Sequence, residues 1–224
     1  MAKRKIRDYR RSELIDAAIT SIAMHGLSDT TLATIAEEAG VSPGLVNHYF
    51  DGKEDLLEAT LRRLTRDLAL EIRRLTPKEP SPLDRLHAII DGCLQPDQLR
   101  PGAALAWRAF WAQLPVHPRL AALQRTVNRR FRSNICWALA QLIPREQVAE
   151  TYLGLYAMID GFWIRQFIDP DSFQMDDARR ICRAYLRRAV EGNVQCPERR
   201  AKGPPVAARA ATLNKAPGLH DHSG

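Results

Sequence analysis

Two sets of side chains in this sequence have the types and spacing to do chemistry. Between residues 103 and 114, Trp107, Phe110, Trp111 and Leu114 fall at i, i+3, i+4 and i+7. Between residues 145 and 167, Tyr152, Tyr156, Asp160, Trp163 and Phe167 follow one another at spacings of four, four, three and four. On a helix, each set lines one face. Aromatic stripes are usually hydrophobic core, and that reading stands beside any other. Two features argue for a pocket instead. Tryptophan is concentrated on these two faces, and Asp160 interrupts its stripe with a carboxylate that is expensive to bury without a partner. Aromatic walls and one carboxylate suit a quaternary ammonium, held by cation–π attraction and by charge. Asp91 is placed either as a second acid near the same pocket or as a solvated helix residue.

A second kind of chemistry is written in the stretch Thr31 to Lys53. Leu32, Ile35, Ala36 and Ala39 recur at helical spacing. Thr30 or Thr31 can cap the helix start, and Gly40 stands where a left-handed C-terminal residue is wanted. Val41 can plug the space between helices. Ser42 then caps a second helix with Pro43 at its first position, where a missing N–H costs nothing. Helix, short turn with glycine, helix is the pattern that lays its second helix in the major groove of DNA. Gly44 allows close approach of the backbone, and Leu45, Asn47, His48 and Tyr49 offer an apolar contact and hydrogen-bonding tips. Asn suits adenine, and an apolar side chain suits a thymine methyl. Lys53 opens the next helix, where free N–H groups and an ammonium together suit a phosphate. An ordinary capped helical hairpin is the bland alternative.

At these residues the chain becomes specific. The run Thr30 to Ala59, TTLATIAEEAGVSPGLVNHYFDGKEDLLEA, resembles the DNA-binding domain of the TetR/AcrR repressor family. The resemblance implies that Thr31 and Lys53 hold phosphates and that Ser42, Pro43, Gly44, Asn47, His48 and Tyr49 face the groove. The commoner family pattern has an aromatic where this chain has Asn47, so base preference there is not carried over. The NHYF version, with AWRAFW at 106–111 and IDGFWIR at 159–165, is similar to the family's choline-responsive subgroup, which controls glycine betaine synthesis. The resemblance covers about residues 7 to 190. It implies a homodimer that binds double-stranded operator DNA and is released by choline or another quaternary ammonium.

Composition sets the frame. The chain has 224 residues, 45% hydrophobic, with a net charge of +7. That is enough apolar content for a sizeable core. No run of about 18 apolar residues is present to span a membrane. The basic leader MAKRKIRDYRR lacks the apolar stretch of a signal peptide. Cys93, Cys136, Cys182 and Cys196 are scattered without metal-like spacing, as expected of a reduced cytoplasmic, nucleoid-associated chain. Nothing calls for a cofactor or a metal ion. The charge is unevenly placed: residues 1–11 carry six basic side chains against Asp8, whereas 12–63 carry three basic against nine acidic. Electrostatic grip on DNA is therefore expected from an N-terminal arm, with Lys5 and Arg7, and from placed groups such as Lys53. A solvated leader is the alternative for the arm.

The elements that must position these residues are all helical. Expected helices run from about Arg7 to His25, with Leu14, Ala17, Ala18, Ile22 and Met24 inward, then through the two helices above. Another runs from Lys53 to about Leu75 and leaves the DNA-binding part, so it can transmit movement. Further helices are expected over 83–94, 103–114, 118–142, 145–167 and 176–190, separated by TPKEPSP at 76–82, Pro96, Pro101, Pro115, Pro144 and Asp169-Pro170. The fold class is all-α, with about nine helices. Residues 1–60 form the helix-turn-helix domain with its basic arm, 61–191 a helical ligand-binding and dimerisation domain, and 192–224 a disordered tail with four glycines and four prolines. The small-residue side of the eighth helix (Gly154, Ala157, Met158, Gly161, Ile164) and the ninth (Ala178, Ile181, Cys182, Tyr185, Ala189) point to a four-helix dimer interface, or to internal packing. Arg125, Arg129 and Arg132 are read as a solvated row.

Three functions compete. A ligand-controlled repressor answering to choline or a related cation fits both sets of residues. A repressor answering to another small molecule, or a DNA-binding regulator without one, would need the aromatic stripes to be differently used or solid core. For an enzyme there is no nucleophile–base arrangement, P-loop or metal cluster, so the chain is read as a non-enzyme.

Overall fold

A computed structural model describes residues 2–95 and 102–194; Pro96, Pro101, Cys196 and nearly all of the expected tail lie outside the described residues. The described chain is nine α-helices and a 3-10 turn, with no strand. They are α1 (Ala2–Asp29), α2 (Leu32–Glu38), α3 (Pro43–Tyr49), α4 (Lys53–Leu75), α5 (Pro82–Cys93), α6 (Ala103–Gln113), α7 (Pro118–Leu139), α8 (Arg145–Ile168) and α9 (Met175–Val194), with the 3-10 turn Leu114–Val116 between α6 and α7.

Local chemistry sets most of the boundaries. Thr31 caps α2 reciprocally: its hydroxyl accepts from Thr34 N–H at 3.1 Å, and the Thr34 hydroxyl accepts from Thr31 N–H at 2.9 Å. Threonine thus fills the place that Glu or Gln usually takes in such a box. At the other end, Gly40 N–H donates to Glu37 O and Val41 N–H to Ala36 O. This paired closure needs a left-handed residue at position 40, and Gly40 has φ 63°. Ser42 and Pro43 start α3, and Ser81, Pro82 and Asp84 start α5 with another reciprocal cap. The first helix departs from expectation at both ends. It begins at Ala2, so Lys5 and Arg7 are exposed on a helix and not on an extended arm, and it bends at Gly26 before continuing to Asp29. Met24, expected inward, is 59% exposed.

Three apolar clusters hold the helices together, and α4 contributes to all of them. Leu56 joins Leu14, Ala18, Ile35, Val46 and Phe50 beneath α1–α3. Leu57, Leu61 and Leu64 pack with Ile19 and Ile22 of α1 and Phe110 of α6. Leu68 and Ile72 lie against the largest cluster, built from α5, α7, α8 and α9 with Ala104 of α6. Burial of such side chains is worth about 1.5–3 kcal/mol each. Where α4 passes α5, a Cβ on Gly92 would stand 2.6 Å from Ile72 Cγ1, so glycine lets the two helices touch. None of the described helices is long and apolar enough to cross a membrane.

The outer helices correct the interface reading in part. Ala178 and Cys182 of α9 are fully buried in the internal cluster, and a Cβ on Gly154 would collide with Tyr185 of the same chain. These residues serve packing of α8 on α9. Ala157 and Ile164 of the expected row, and Ile181 of α9, remain exposed, and Leu153 and Ile168 extend the uncovered apolar surface of α8.

Candidate functional site

The reading helix is docked from beneath and open from above. Val46 is fully buried and Phe50 nearly so, fastening α3 to the cluster below it. Ser42, Pro43, Gly44, Asn47 and His48 are exposed on the opposite side. Tyr49 is half-buried and sits edge-on to His48, with ring centroids 5.2 Å apart. Thr31 is exposed at the head of α2. The ammonium of Lys53 donates to the Ser28 carbonyl at 3.1 Å, which ties the start of α4 to the end of α1. Gly52 precedes Lys53 and gives the first-turn N–H groups of α4 no side-chain cap. The sequence-predicted DNA residues of α2, α3 and α4 therefore share one end of the molecule.

The aromatic stripes meet around a cavity of about 80 Å³ walled by five helices, α4 to α8. Trp107 and Trp111 of α6 stand 5.9 Å apart, and Trp111 meets Trp163 of α8 edge-on at 6.2 Å. Phe131 of α7 meets Tyr156 at 5.8 Å on the other side. The Trp163 indole N–H donates to the Cys93 carbonyl at 3.0 Å, which locks the ring's orientation. Asp160 completes the wall between Tyr156 and Trp163. It has no hydrogen bond or ion pair among the described residues, and burial pushes its pKa up from the ordinary 3.8 to about 6. The same desolvation, with the Asp160 carboxylate adding to it, lifts the Cys93 thiol to about 12, so that cysteine is an inert wall and no nucleophile.

Two predicted ligand residues are corrected. Asp91 does not line the cavity: its carboxylate is taken by Arg183 of α9, across 92 residues of chain. Tyr152 does not line it either; it packs on Tyr156 at 5.7 Å and lies under the Arg132 guanidinium. One turn of helix separates Tyr152 from the wall residue Tyr156, and that turn carries it past the cavity's edge. Phe167, at the far end of the stripe, is 60% exposed and covered by Arg108. Arg125 and Arg129 are solvated as expected.

The cavity also contains residues that sequence reasoning missed. Gln124 and Asn128 of α7 supply amides to the wall, joined by a 2.8 Å hydrogen bond, and Gln124 is 8% exposed. Asp67 and Leu68 bring α4 into it. The Asp67 carboxylate accepts from Arg63 Nε at 3.0 and 3.2 Å, and the same guanidinium donates to Ser12 of α1 at 2.8 Å and lies 3.7 Å from Asp16. One arginine thus joins the cavity wall to the first helix. A spacing signal existed, since Asp67 and Leu68 follow Leu64 by three and four on a helix whose apolar face was legible. Among the described residues no group of three or more His, Cys, Asp or Glu could hold a metal ion.

Comparison with known proteins agrees with both halves of this geometry. Residues 14–60 match the family of bacterial regulatory proteins called tetR, and residues 82–191 match the C-terminal region of BetI-type transcriptional repressors. The chain is 40% identical over 187 residues to the HTH-type transcriptional regulator BetI of Paraburkholderia phymatum, covering 83% of this chain and 95% of that one. It is 38% identical to BetI of Burkholderia mallei, covering 83% and 96%. A transcriptional regulator from Pseudomonas aeruginosa superposes with a TM-score of 0.67 at 26% identity, over 87% of this chain and 95% of that one. A regulator from Saccharomonospora viridis, solved in complex with choline, superposes with a TM-score of 0.70 over 80% of this chain and 96% of that one; at 21% identity it speaks for the fold alone. These relatives are regulators of transcription and not enzymes. An outward-facing helix-turn-helix, a helical bundle around an aromatic cavity and these likenesses lead to one conclusion: the chain belongs to the TetR family of bacterial transcriptional repressors, with a C-terminal region of the BetI type.

Proposed function

We propose that this repressor binds a pseudo-palindromic operator as a homodimer and lets go when choline, or a close trimethylammonium relative, enters the aromatic cavity, so that it controls glycine betaine synthesis. The observation that carries the ligand reading is Asp160: a half-buried carboxylate with no cationic partner among the described residues, its pKa raised to about 6, in a wall shared with three tryptophans and Tyr156. A buried charge without a partner is costly, and a cation without N–H donors is the complement such a wall offers. The resemblance to the choline-responsive subgroup, borne by the BetI relatives and the BetI-type C-terminal region, points to the same ligand.

In this reading residues 1–60 read DNA, 61–191 hold ligand and partner, and the protein works at the nucleoid. Asn47, His48 and Tyr49 reach base edges from α3, with Ser42, Pro43 and Gly44 bringing its N-terminus close. Thr31, Lys53, Lys5 and Arg7 hold phosphates; Lys53 exchanges its hold on Ser28 for one. The exposed row Leu153, Ala157, Ile164 and Ile168 is the dimer face, since an uncovered apolar patch of that kind marks an interface. A ligand shifts an equilibrium only by its differential affinity for two states. Here α4 is the element that feels it. It supplies Leu64, Asp67 and Leu68 to the cavity wall, and Arg63 on the same helix grips α1. Drawing Asp67 toward a cation loosens that grip and changes the angle of the reading helices. The test is calorimetric titration with choline, together with operator binding with and without it. Heat and weakened operator affinity are expected; no heat and no change at millimolar choline would sink the ligand reading.

A further inference from the structure

A second concavity lies on the other side of the cavity wall, between α4, α5 and α7, and encloses about 680 Å³. That volume is in the range of small-molecule sites, roughly 300–1,000 Å³. Its apolar lining includes Ile72, Ile89 and Leu123, with Trp137, 55% exposed, at its edge. Its rim is of one sign: Arg62, Arg66 and Arg73 from α4, Arg85 from α5 and Arg130 from α7, with no Asp or Glu in the lining.

The acids of α4 explain how this arises. Asp67 is spent on Arg63 and Glu71 on Arg74, both outside this groove. Arg62 is paired with Glu58, and Arg85 stacks over Trp137 with its guanidinium 5.1 Å from the ring. Arg66, Arg73 and Arg130 have no ion pair or hydrogen bond from their side chains among the described residues. Like charges converging on a low-dielectric cleft repel one another and focus a field that concentrates counter-ions. An apolar floor under that field selects the counter-ion's shape.

We propose that this groove is a binding site for a small amphipathic organic anion, a carboxylate on an aliphatic body, separate from the cation cavity and divided from it by Leu68, Val127 and Phe131. Arg73 and Arg130 hold the carboxylate, with the planar guanidinium fork suited to its two oxygens. The aliphatic part lies on Ile72, Ile89 and Trp137. Duplex DNA is a poorer occupant, because its phosphate backbone has no apolar surface to cover that floor.

The experiment is calorimetric titration of the full chain with octanoate, 1-octanol and inorganic phosphate, for the wild type and for the double variant Arg73→Gln/Arg130→Gln. Octanoate is expected to bind the wild type at least about tenfold more tightly than octanol or phosphate, and the double variant to lose about tenfold or more of that affinity, as loss of charge-assisted hydrogen bonds requires. Unchanged thermal midpoint in the double variant establishes that it is folded. The proposal is overturned if octanoate gives no heat with the wild type, if octanol binds as tightly as octanoate, or if the double variant binds octanoate as the wild type does. It is equally overturned if the double variant loses affinity for random-sequence duplex DNA while neither protein binds octanoate, which would assign the arginines to phosphates. A single substitution in the apolar lining, Ile89→Ala, gives a check without touching an arginine or its stacking partner: it too should weaken octanoate and leave phosphate unaffected.

Discussion

The reading helix and the aromatic cavity solve opposite problems. Seven residues of one continuous stretch form α3, and its useful side chains point into solvent. The cavity is walled by five helices whose residues run from Leu64 to Trp163, and its one unpaired carboxylate is half-buried. The first site is defined by local capping and a docking anchor. The second is defined by what several helices leave unfilled, and its electrostatics depend on how much water they exclude. A change in the first should therefore alter recognition with little cost to the fold. A change in the second should alter ligand binding and stability together, and in opposite directions for a ring and for a charge.

The sharpest break of that contrast is Trp163→Ala. Trp163 is 7% exposed and donates to the Cys93 carbonyl. Removing it should cost about 3–5 kcal/mol of stability and abolish choline binding. Chemical denaturation and calorimetry read the two effects; a loss under about 1 kcal/mol would mean that the cavity walls are not load-carrying core.

Asp160→Asn should weaken choline binding by about 2–4 kcal/mol while leaving operator affinity nearly intact. Its effect on stability has the opposite sign to that of Trp163→Ala. The folded pKa of Asp160 is raised above its ordinary 3.8 to about 6, so the folded chain takes up the proton more readily than the unfolded one. Stability from that proton is present below 3.8 and lost as pH rises through about 6. The Asn variant should therefore melt higher than the wild type at neutral pH, with the advantage fading in acid. Choline affinity of the wild type should fall as pH drops through about 6, because the neutral carboxyl no longer pairs with a cation. Equal melting at neutral pH, or pH-independent choline affinity, would contradict this account.

On the exposed side, Asn47→Ala should relax preference at one base position, with a cost of about 1–3 kcal/mol for the preferred base, and leave the melting midpoint unchanged. Selection from a randomised operator library reads it. Lys53→Ala should weaken all sequences alike, since phosphates carry no base identity. If both variants lost affinity uniformly, the division between base-reading and phosphate-holding residues would fail.

The smallest expected effect is Gly40→Ala. Its φ of 63° is open to other residues at about 1 kcal/mol, and nothing lies within 4 Å of the added Cβ. Stability should fall by about that much, with operator preference unchanged. A change in base preference would mean that the turn itself sets the pose of α3.

What the sequence by itself determined was the local part. Thr31, Gly40, Ser42, Pro43, Ser81 and Pro82 close or open helices through hydrogen bonds to residues a few positions away, so their meaning survives without the fold. The helical period likewise put Trp107 and Trp111 on one face and Tyr156, Asp160 and Trp163 on another, and those faces do meet. Tertiary structure alone decided how far along each face the cavity runs and which charges were already spoken for. Periodicity gives direction around a helix but no depth along it, so Tyr152 and Phe167 shared the stripe without reaching the wall. Asp91 was equally plausible until α9 brought Arg183 to it, and Asp67 was unremarkable until α4 carried it into the cavity with Arg63 holding on to α1. Charge pairing over such separations depends on helix packing, which no short-range pattern records.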